Sequence, residues 1–243
     1  MHTVFMGDLH LSADRPDISQ AFIDYLDSDL SDVEAMYIIG DLFEVWTSDD
    51  IAEPFTDVIA AHIKQVSENM PVFFIHGNRD FMIGKEFAAK SGMQLLPEIK
   101  ILDLYGIKTV VLHGDSLCTL DKSYQRFRRF RNSAIVKWIY CHLPKSTRQK
   151  IAADIRHKSQ NGNKDKSYVI MDVEQTAVDA LLSDTDCQRM IHGHTHRPAI
   201  HELNNNKQRI VVGDWYDQGS ILIVKKDSAE LQQLPFSAKK NQL

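Results

Sequence analysis

The sequence predicts a layered α/β domain, and two features carry that reading. Six short apolar runs end alike, in Gly beside Asp, Asn or His: TVFMGDLH at 3–10, MYIIGDLFE at 36–44, VFFIHGNRD at 72–80, TVVLHGDS at 109–116, RMIHGHTH at 189–196 and RIVVGDWYD at 209–217. Helical patterns separate several of them. Strands that alternate with helices build layered domains.

Each run holds four or five apolar residues, many of them β-branched or aromatic. Runs of this length without polar alternation suit strands covered on both faces. After the first run, Ile18, Phe22, Tyr25 and Leu26 recur at helical spacing and predict a helix over 18–26. Phe55, Val58, Ile59, His62, Ile63 and Val66 form one stripe of a helix over 55–66, which makes His62 a core histidine. Further along, Phe127, Phe130, Ala134, Trp138 and Cys141 predict one amphipathic helix, and Pro144 breaks it. A second, shorter helix follows in STRQKIAADIRHKS with Ser146 as its cap, and QNGN at 160–163 reads as a turn. DVEQTAVDALL opens with Asp172 as N-cap and Gln175 three residues later, a capping box.

Composition bounds the function classes. With 243 residues, 43% hydrophobic and 25% charged, the chain is long enough for one large α/β domain or a core with an insertion. The net charge of −5 hides an asymmetry, because residues 122–166 hold thirteen Lys or Arg against two acidic residues. We read 121–166 as a basic helical insertion over the strand ends, with 1–120 and 167–243 forming the core. Three scattered cysteines, Cys118, Cys141 and Cys187, form no C-x-x-C pair, which argues for a reducing compartment and against a zinc ribbon or a disulfide scaffold. The N-terminus lacks a basic segment followed by a long apolar one, so no secretory signal is expected. No apolar stretch approaches the roughly 18 residues needed to span a bilayer. A cytoplasmic chain is expected, one that meets a membrane only from its surface.

Open α/β sheets bind ligands where strand C-termini converge. Here those ends supply Asp8, His10, Asp41, Asn78, His113, His194 and His196. Any one of these could be a turn former or a helix cap. Seven at five strand ends point instead to metal. Asp, Asn and His without thiolates suit Mn²⁺, Fe²⁺ or Zn²⁺ rather than Cu(I) or an iron–sulfur cluster. Seven ligands exceed one tetrahedral site and fit two ions that share a carboxylate.

D-x-H at Asp8 and His10, G-D at Gly40 and Asp41, G-N at Gly77 and Asn78, His113, and G-H-x-H from Gly193 to His196 together resemble the calcineurin-like metallophosphoesterase pattern, in order across residues 3–217. The resemblance implies a β-sandwich core flanked by helices. It places Asp8, His10, Asp41 and His196 on one ion and Asp41, Asn78, His113 and His194 on the other, with Asp41 bridging. His192 precedes the glycine and matches no ligand, so His192 and His76 are expected to be buried hydrogen-bonding residues. His2, His142, His157 and His201 match no motif and receive no role.

Two divalent ions clamp the oxygens of a phosphoryl group and activate water, so no Ser–His–Asp set is required. Many relatives follow G-N with His-Glu or His-Asp, whereas GNRD here offers Arg79. Guanidinium binds phosphate bidentately but is a poor proton donor, which favours a substrate with a good leaving group. GNRDF, LHGDSLCTLD and the basic aromatic insertion resemble the UDP-2,3-diacylglucosamine diphosphatase family over essentially the whole chain. That implies hydrolysis of UDP-2,3-diacylglucosamine at the α-phosphorus to UMP and 2,3-diacylglucosamine 1-phosphate in lipid A biosynthesis, with Mn²⁺ as the usual activator. It implies peripheral attachment to the cytoplasmic face of the bacterial inner membrane, no nucleic-acid partner and no obligate protein partner. Arg79 and His113 become the catalytic pair. Asn78, Arg79, Asp121, Ser159, Asn163, Lys166 and His194 become substrate contacts.

Two rival readings stand beside it. A two-metal nuclease of the same superfamily would use the basic aromatic segment to track a backbone. A metal-free scaffold on the same fold would not need a complete ligand set. Within the insertion, the stripe of Phe127, Phe130, Ala134 and Trp138 needs an apolar partner, either the domain itself or the acyl chains of a substrate. On the lipid reading Arg128, Arg129 and Arg131 face anionic headgroups.

Overall fold

Each apolar run forms a strand whose successive side chains enter different cores. In β1 (His2–Met6), Val4 and Met6 join one buried cluster while Phe5 joins another. In β6 (Ile107–Leu112), Val111 shares the cluster of Phe5 while Val110 and Leu112 enter a third. Period-two side chains with both faces covered explain why the runs carry no polar alternation.

A computed structural model describes residues 1–164 and 172–236, the side chains of 156–164 apart. Two sheets face each other. The first has the order β11 (Ala229–Leu234), β10 (Gly219–Val224), β1, β2 (Val33–Ile38), β3 (Val72–Phe74) and β4 (Gln94–Leu95). The second has the order β5 (Ile99–Leu104), β6, β7 (Arg189–His192), β9 (Gln208–Val211) and β8 (Ala199–Glu202). Strands β1 to β4 run parallel, as do β6, β7 and β9, and the antiparallel strands lie at the sheet margins. Phe5, Ile39, Val111, Ile191 and Leu222 fill the space between the sheets.

Helices α1 (Pro16–Leu26), α2 (Pro54–Ser67) and α3 (Lys85–Ser91) cover the outer face of the first sheet through Phe22, Ile59 and Phe87. Proline opens α1 and α2 where its missing N–H costs nothing. The α3 terminus is capped from a distance, with the Asp49 carboxylate accepting from the backbone N–H of Gly84, Glu86 and Phe87. Helix α7 (Gln175–Asp184) covers the second sheet through Val178 and Leu182. The expected α/β sandwich flanked by helices is borne out. No helix of the described residues is long and apolar enough to cross a membrane.

The basic segment forms α4 (Lys122–Asn132), α5 (Ala134–Cys141) and α6 (Lys145–Lys164). The single helix expected over Phe127–Cys141 is two, because Ser133 is extended at φ −60°, ψ 130°. Ser146 lies inside α6, and the turn expected at 160–163 is helical. Helix α7 starts at Gln175 after Glu174. Asp172 is not its cap, because its carboxylate accepts from Val173 N–H and pairs with Arg197. His62 is not in the core: it is half-buried on α2 and bonds Asp27 Oδ1 at 2.8 Å.

Charge, not the apolar stripe, fastens these helices to the core. Arg128 and Arg131 are only 9% and 6% exposed, whereas Phe130 and Trp138 are 62% and 63% exposed. Asp115 Oδ2 accepts from Arg128 Nε at 2.8 Å and Arg131 Nη2 at 3.1 Å, and Arg128 also pairs with Glu98. The Arg131 guanidinium lies 4.5 Å from the centre of the Phe81 ring. Buried Arg148 holds α6 with two 2.7 Å bonds to the Asp50 carboxylate and a third to Ser48 Oγ. One expectation is corrected here, since Arg128 and Arg131 do not face headgroups; of the two partners left open for the stripe, the domain itself does not cover Phe130 or Trp138.

Phe130→Ser should shift unfolding free energy by less than about 0.5 kcal/mol, as for ordinary surface substitutions. Asp115→Ala leaves two buried guanidinium groups without this carboxylate and should cost about 3 kcal/mol or more. Thermal and urea melts of the two variants test the inverted face, and the opposite ranking would refute it.

Candidate metal centre

The C-terminal ends of β1, β2, β3, β6 and β7 bring all seven expected ligands to one place. Five of them, Asp8, His10, Asp41, His194 and His196, have φ between 51° and 69°. Left-handed backbone is uncommon outside glycine and collects at functional sites. It turns each side chain inward from a strand end while the backbone stays bonded, as in Asp8 N–H to Gly40 O and His10 N–H to Asp41 O. The glycines in the motifs answer to the same crowding. A Cβ on Gly40, at φ +96°, would lie 2.5 Å from His113 Nδ1, and one on Gly193 would collide with the Asp8 carboxylate.

Asp8, His10, Asp41 and His113 are almost fully buried, while Asn78, His194 and His196 are partly so. One ligand atom each from Asp8, His10 and His196 lies within 4.8 Å of the others, and the same holds for Asp8, Asp41 and His113. Asp41 Oδ2 sits between the halves, 3.9 Å from His10 Nε2 and 3.7 Å from His113 Nε2. The His194 ring centre is 5.0 Å from that of His113.

Imidazole tautomers follow from the outer partners. His10 Nδ1 bonds the Glu44 carboxylate at 2.9 Å and His113 Nδ1 bonds Ile39 O at 2.9 Å. A carboxylate and a carbonyl only accept, so each Nδ1 carries a proton, and it is the neutral form of each ring that leaves an Nε2 lone pair facing inward. The inward atoms crowd one another. His113 Nε2 faces Asn78 Oδ1 at 3.1 Å, and Asp8 Oδ1 is buried with no hydrogen bond among the described residues, 3.5 Å from His196 Nε2. Converging acceptors around an orphaned carboxylate oxygen fit divalent cations.

The carboxylates at the centre draw positive charge, a proton on His113 where no cation is bound. Burial alone would lower the His113 pKa, but Asp41, Asp8 and Asp115 outweigh it and push it up to about 9. Burial opposes ionisation of Asp8, yet His196, His113 and His10 hold its carboxyl below the usual range. Burial, with His113 close by, pushes His194 down to about 4 and so favours the neutral, ligating ring. The pocket attracts positive charge to its centre.

Other expected residues fall around this cluster. Arg79 donates its backbone N–H to Asp41 Oδ1, and its Nη1 lies 3.6 Å from Glu44 Oε1. Asp121 is the N-cap of α4, with Oδ1 accepting from Tyr124 N–H. Lys166, and the side chains of Ser159 and Asn163, lie outside the described residues. His192 is fully buried and bonds Gly193 O at 2.8 Å, and His76 bonds Ile83 O at 2.8 Å.

Several residues with no expected role support the ligands. Glu44 orients His10. Fully buried Asp80 accepts from the N–H of Asp41, Leu42 and Gly77, tying two ligand loops together. Burial and Asp41 push its pKa up to about 7 against the Gly77 amide. Tyr216 stacks on His10 with ring centres 5.2 Å apart. Glu44, Asp80 and Asp115 each lie within three residues of an expected ligand, and that adjacency is the one signal that could have found them.

The chain belongs to the calcineurin-like phosphoesterase family, whose sequence profile matches residues 1–198. Enzymes of this family use divalent metals, and the buried Asp and His clusters supply residues to hold them. The chain is 65% identical to the UDP-2,3-diacylglucosamine hydrolase of Shewanella piezotolerans over 97% of its own length and 99% of that protein. It is similar to the protein of that name from Shewanella pealeana to the same extent: 65% identity, 97% of this chain and 99% of the other. Among solved structures, an archaeal phosphodiesterase aligns with 96% of this chain and 100% of its own at 14% identity, with a TM-score of 0.49.

Asp41→Asn should abolish turnover while the melting temperature stays within a few degrees, because a strand-end ligand contributes little packing. Near-normal turnover at saturating Mn²⁺ would remove Asp41 from the bridge. His194→Ala should be far more damaging to turnover than His192→Ala, and the reverse order would show that the ligand histidines are misassigned.

Proposed function

We propose that this chain hydrolyses the diphosphate of UDP-2,3-diacylglucosamine at the α-phosphorus, releasing UMP and 2,3-diacylglucosamine 1-phosphate. The carrying observation is the convergence of buried acceptors on one centre beside Arg79, in a chain so similar to proteins named for this substrate.

Two ions, which we take to be Mn²⁺, supply Lewis acidity and activated water when bound. Asp8, His10, Asp41 and His196 are the proposed ligands of one, and Asp41, Asn78, His113 and His194 those of the other. The chain's own groups do the rest. Arg79, held near Glu44, offers two parallel N–H donors to the diphosphate as charge builds on its oxygens. His113 keeps its Nε2 lone pair inward through its bond to Ile39 O. Asn78, Asp121, Ser159, Asn163, Lys166 and His194 complete the proposed substrate contacts.

The segment 121–166 is proposed as a lid that receives the acyl chains. Support comes from its outward apolar face: Phe130, Ile135, Trp138 and Ile139 are 50% exposed or more, next to exposed Arg129. Clustered exposed apolar side chains mark interaction surfaces. The same face suits peripheral contact with the cytoplasmic side of the inner membrane, and no obligate protein partner is part of this reading. A nuclease is disfavoured, because Arg128, Arg131 and Arg148 are buried in ion pairs and cannot follow a phosphate backbone.

Hydrolysis in ¹⁸O-water followed by mass analysis tests the reaction directly. Label in UMP is expected, whereas label in the lipid phosphate or absence of UMP refutes attack at the α-phosphorus. Arg79→Ala should lower kcat/KM by about 100-fold or more at unchanged metal content, with Lys restoring it only partly. Replacing Phe127 and Phe130 together with Ser should cripple turnover of the diacyl substrate yet spare slow hydrolysis of a small chromogenic phosphodiester. Equal loss on both would remove the acyl role from this face.

A further inference from the structure

The two halves of the metal centre have different supports. Around Asp8, His10 and His196 the supports come from the core. Glu44 holds His10, and Tyr216 lies against both rings with centres 5.2 Å and 5.6 Å away. Arg15 fixes that tyrosine through its carbonyl at 2.7 Å.

Around Asn78, His113 and His194, core partners such as Ile39 O and Asp80 are joined by supports from α4. Arg131 Nη1 donates to Asn78 O at 2.7 Å. Its Nη2 donates to Asp115 Oδ2 at 3.1 Å, and Asp115 lies two residues after His113. Asn78 Oδ1 lies 3.1 Å from His113 Nε2, so Asn78 is bonded both to Arg131 and to His113, while Arg131 also holds the turn that follows His113 through Asp115. Tyr124 of the same helix donates its hydroxyl to Asp115 at 2.6 Å, and its ring stacks over His194 at 6.4 Å and 22°. One helix therefore touches or braces three of the four residues assigned to one ion. Arg131 is 6% exposed and its Nε has no hydrogen-bond partner among the described residues, so this burial is costly and is offset by what its other nitrogens hold.

We propose that α4 is a structural part of the metal centre: Arg131 and Tyr124 position Asn78, His113 and His194, so that disturbing the helix weakens one ion site and leaves the other intact. The inference rests on the two-ion reading above. It makes Arg131 and Tyr124 positioning residues and couples the seating of the basic segment to metal occupancy. Outer partners of metal ligands typically change affinity by about 10–100-fold.

Titration of the whole chain with Mn²⁺ alone, by calorimetry and by metal analysis after desalting, tests this without substrate. The native chain should take up two ions. Arg131→Ala should hold one within about threefold of native affinity and the other at least about tenfold more weakly, with turnover recovering in excess Mn²⁺. Tyr124→Leu, which removes the ring over His194 but keeps bulk, should weaken the same single site and serves if Arg131→Ala does not fold. Arg148→Ala loosens α6 at Asp50 and should leave both sites as in the native chain. Two sites of native affinity in Arg131→Ala or Tyr124→Leu would overturn the role of α4 alone. Equal weakening of both ions, or the same single-site loss in Arg148→Ala, would overturn it as well. A native chain that binds one ion would overturn the two-ion reading and this inference with it.

Discussion

The constraint on which the structure turns is the crowding of acceptor groups at one centre. Two carboxylates, an amide oxygen and several imidazole nitrogens are aimed at one small, largely buried volume. Left alone, such groups would splay apart or take up protons. They are kept in place by a double sheet whose strands are buried on both faces, by Asp80 lacing the Asp41 and Gly77 loops together, and by carbonyl and carboxylate partners that fix each ring. The fold acts as a frame that holds like-natured atoms close together, an arrangement that suits a divalent cation.

How much of this the sequence discloses depends on the physics of each part. The ligand-bearing strand ends were legible because one crowded centre forces a repeated grammar, an apolar run and then a small residue beside a polar one. Strands β5, β8 and β11 were not, since they lie at sheet edges, where alternating exposed residues such as Glu230 and Gln232 look like loop. The break at Ser133 left no periodicity signal, because Phe127 to Cys141 keeps helical spacing straight through it. Support residues such as Asp80 and Glu44 act through geometry across the chain, and spacing cannot reveal whom a carboxylate will meet.

The orientation of α4 is a case in which spacing leaves two answers open. Amphipathic spacing tells which residues share a face but not which face turns inward, and the usual assumption puts the apolar side inside. Here Asp115 waits at the end of β6, and it attracts Arg128 and Arg131 strongly enough to reverse the helix. The reversal leaves Phe130 and Trp138 outside. A basic segment can thus present a greasy surface to its surroundings while its charges serve the interior.

Left-handed torsion at five ligand positions has a consequence for how this chain can vary. Asp and Asn tolerate such torsion better than most residues, whereas β-branched side chains do not. Drift at Asp8 or Asp41 is therefore channelled toward Asn even before chemistry is consulted, and a longer acid such as Glu meets a backbone that resists it. The choice of side chain at these positions is narrowed twice, once by what can grip a cation and once by the shape of the chain beneath it.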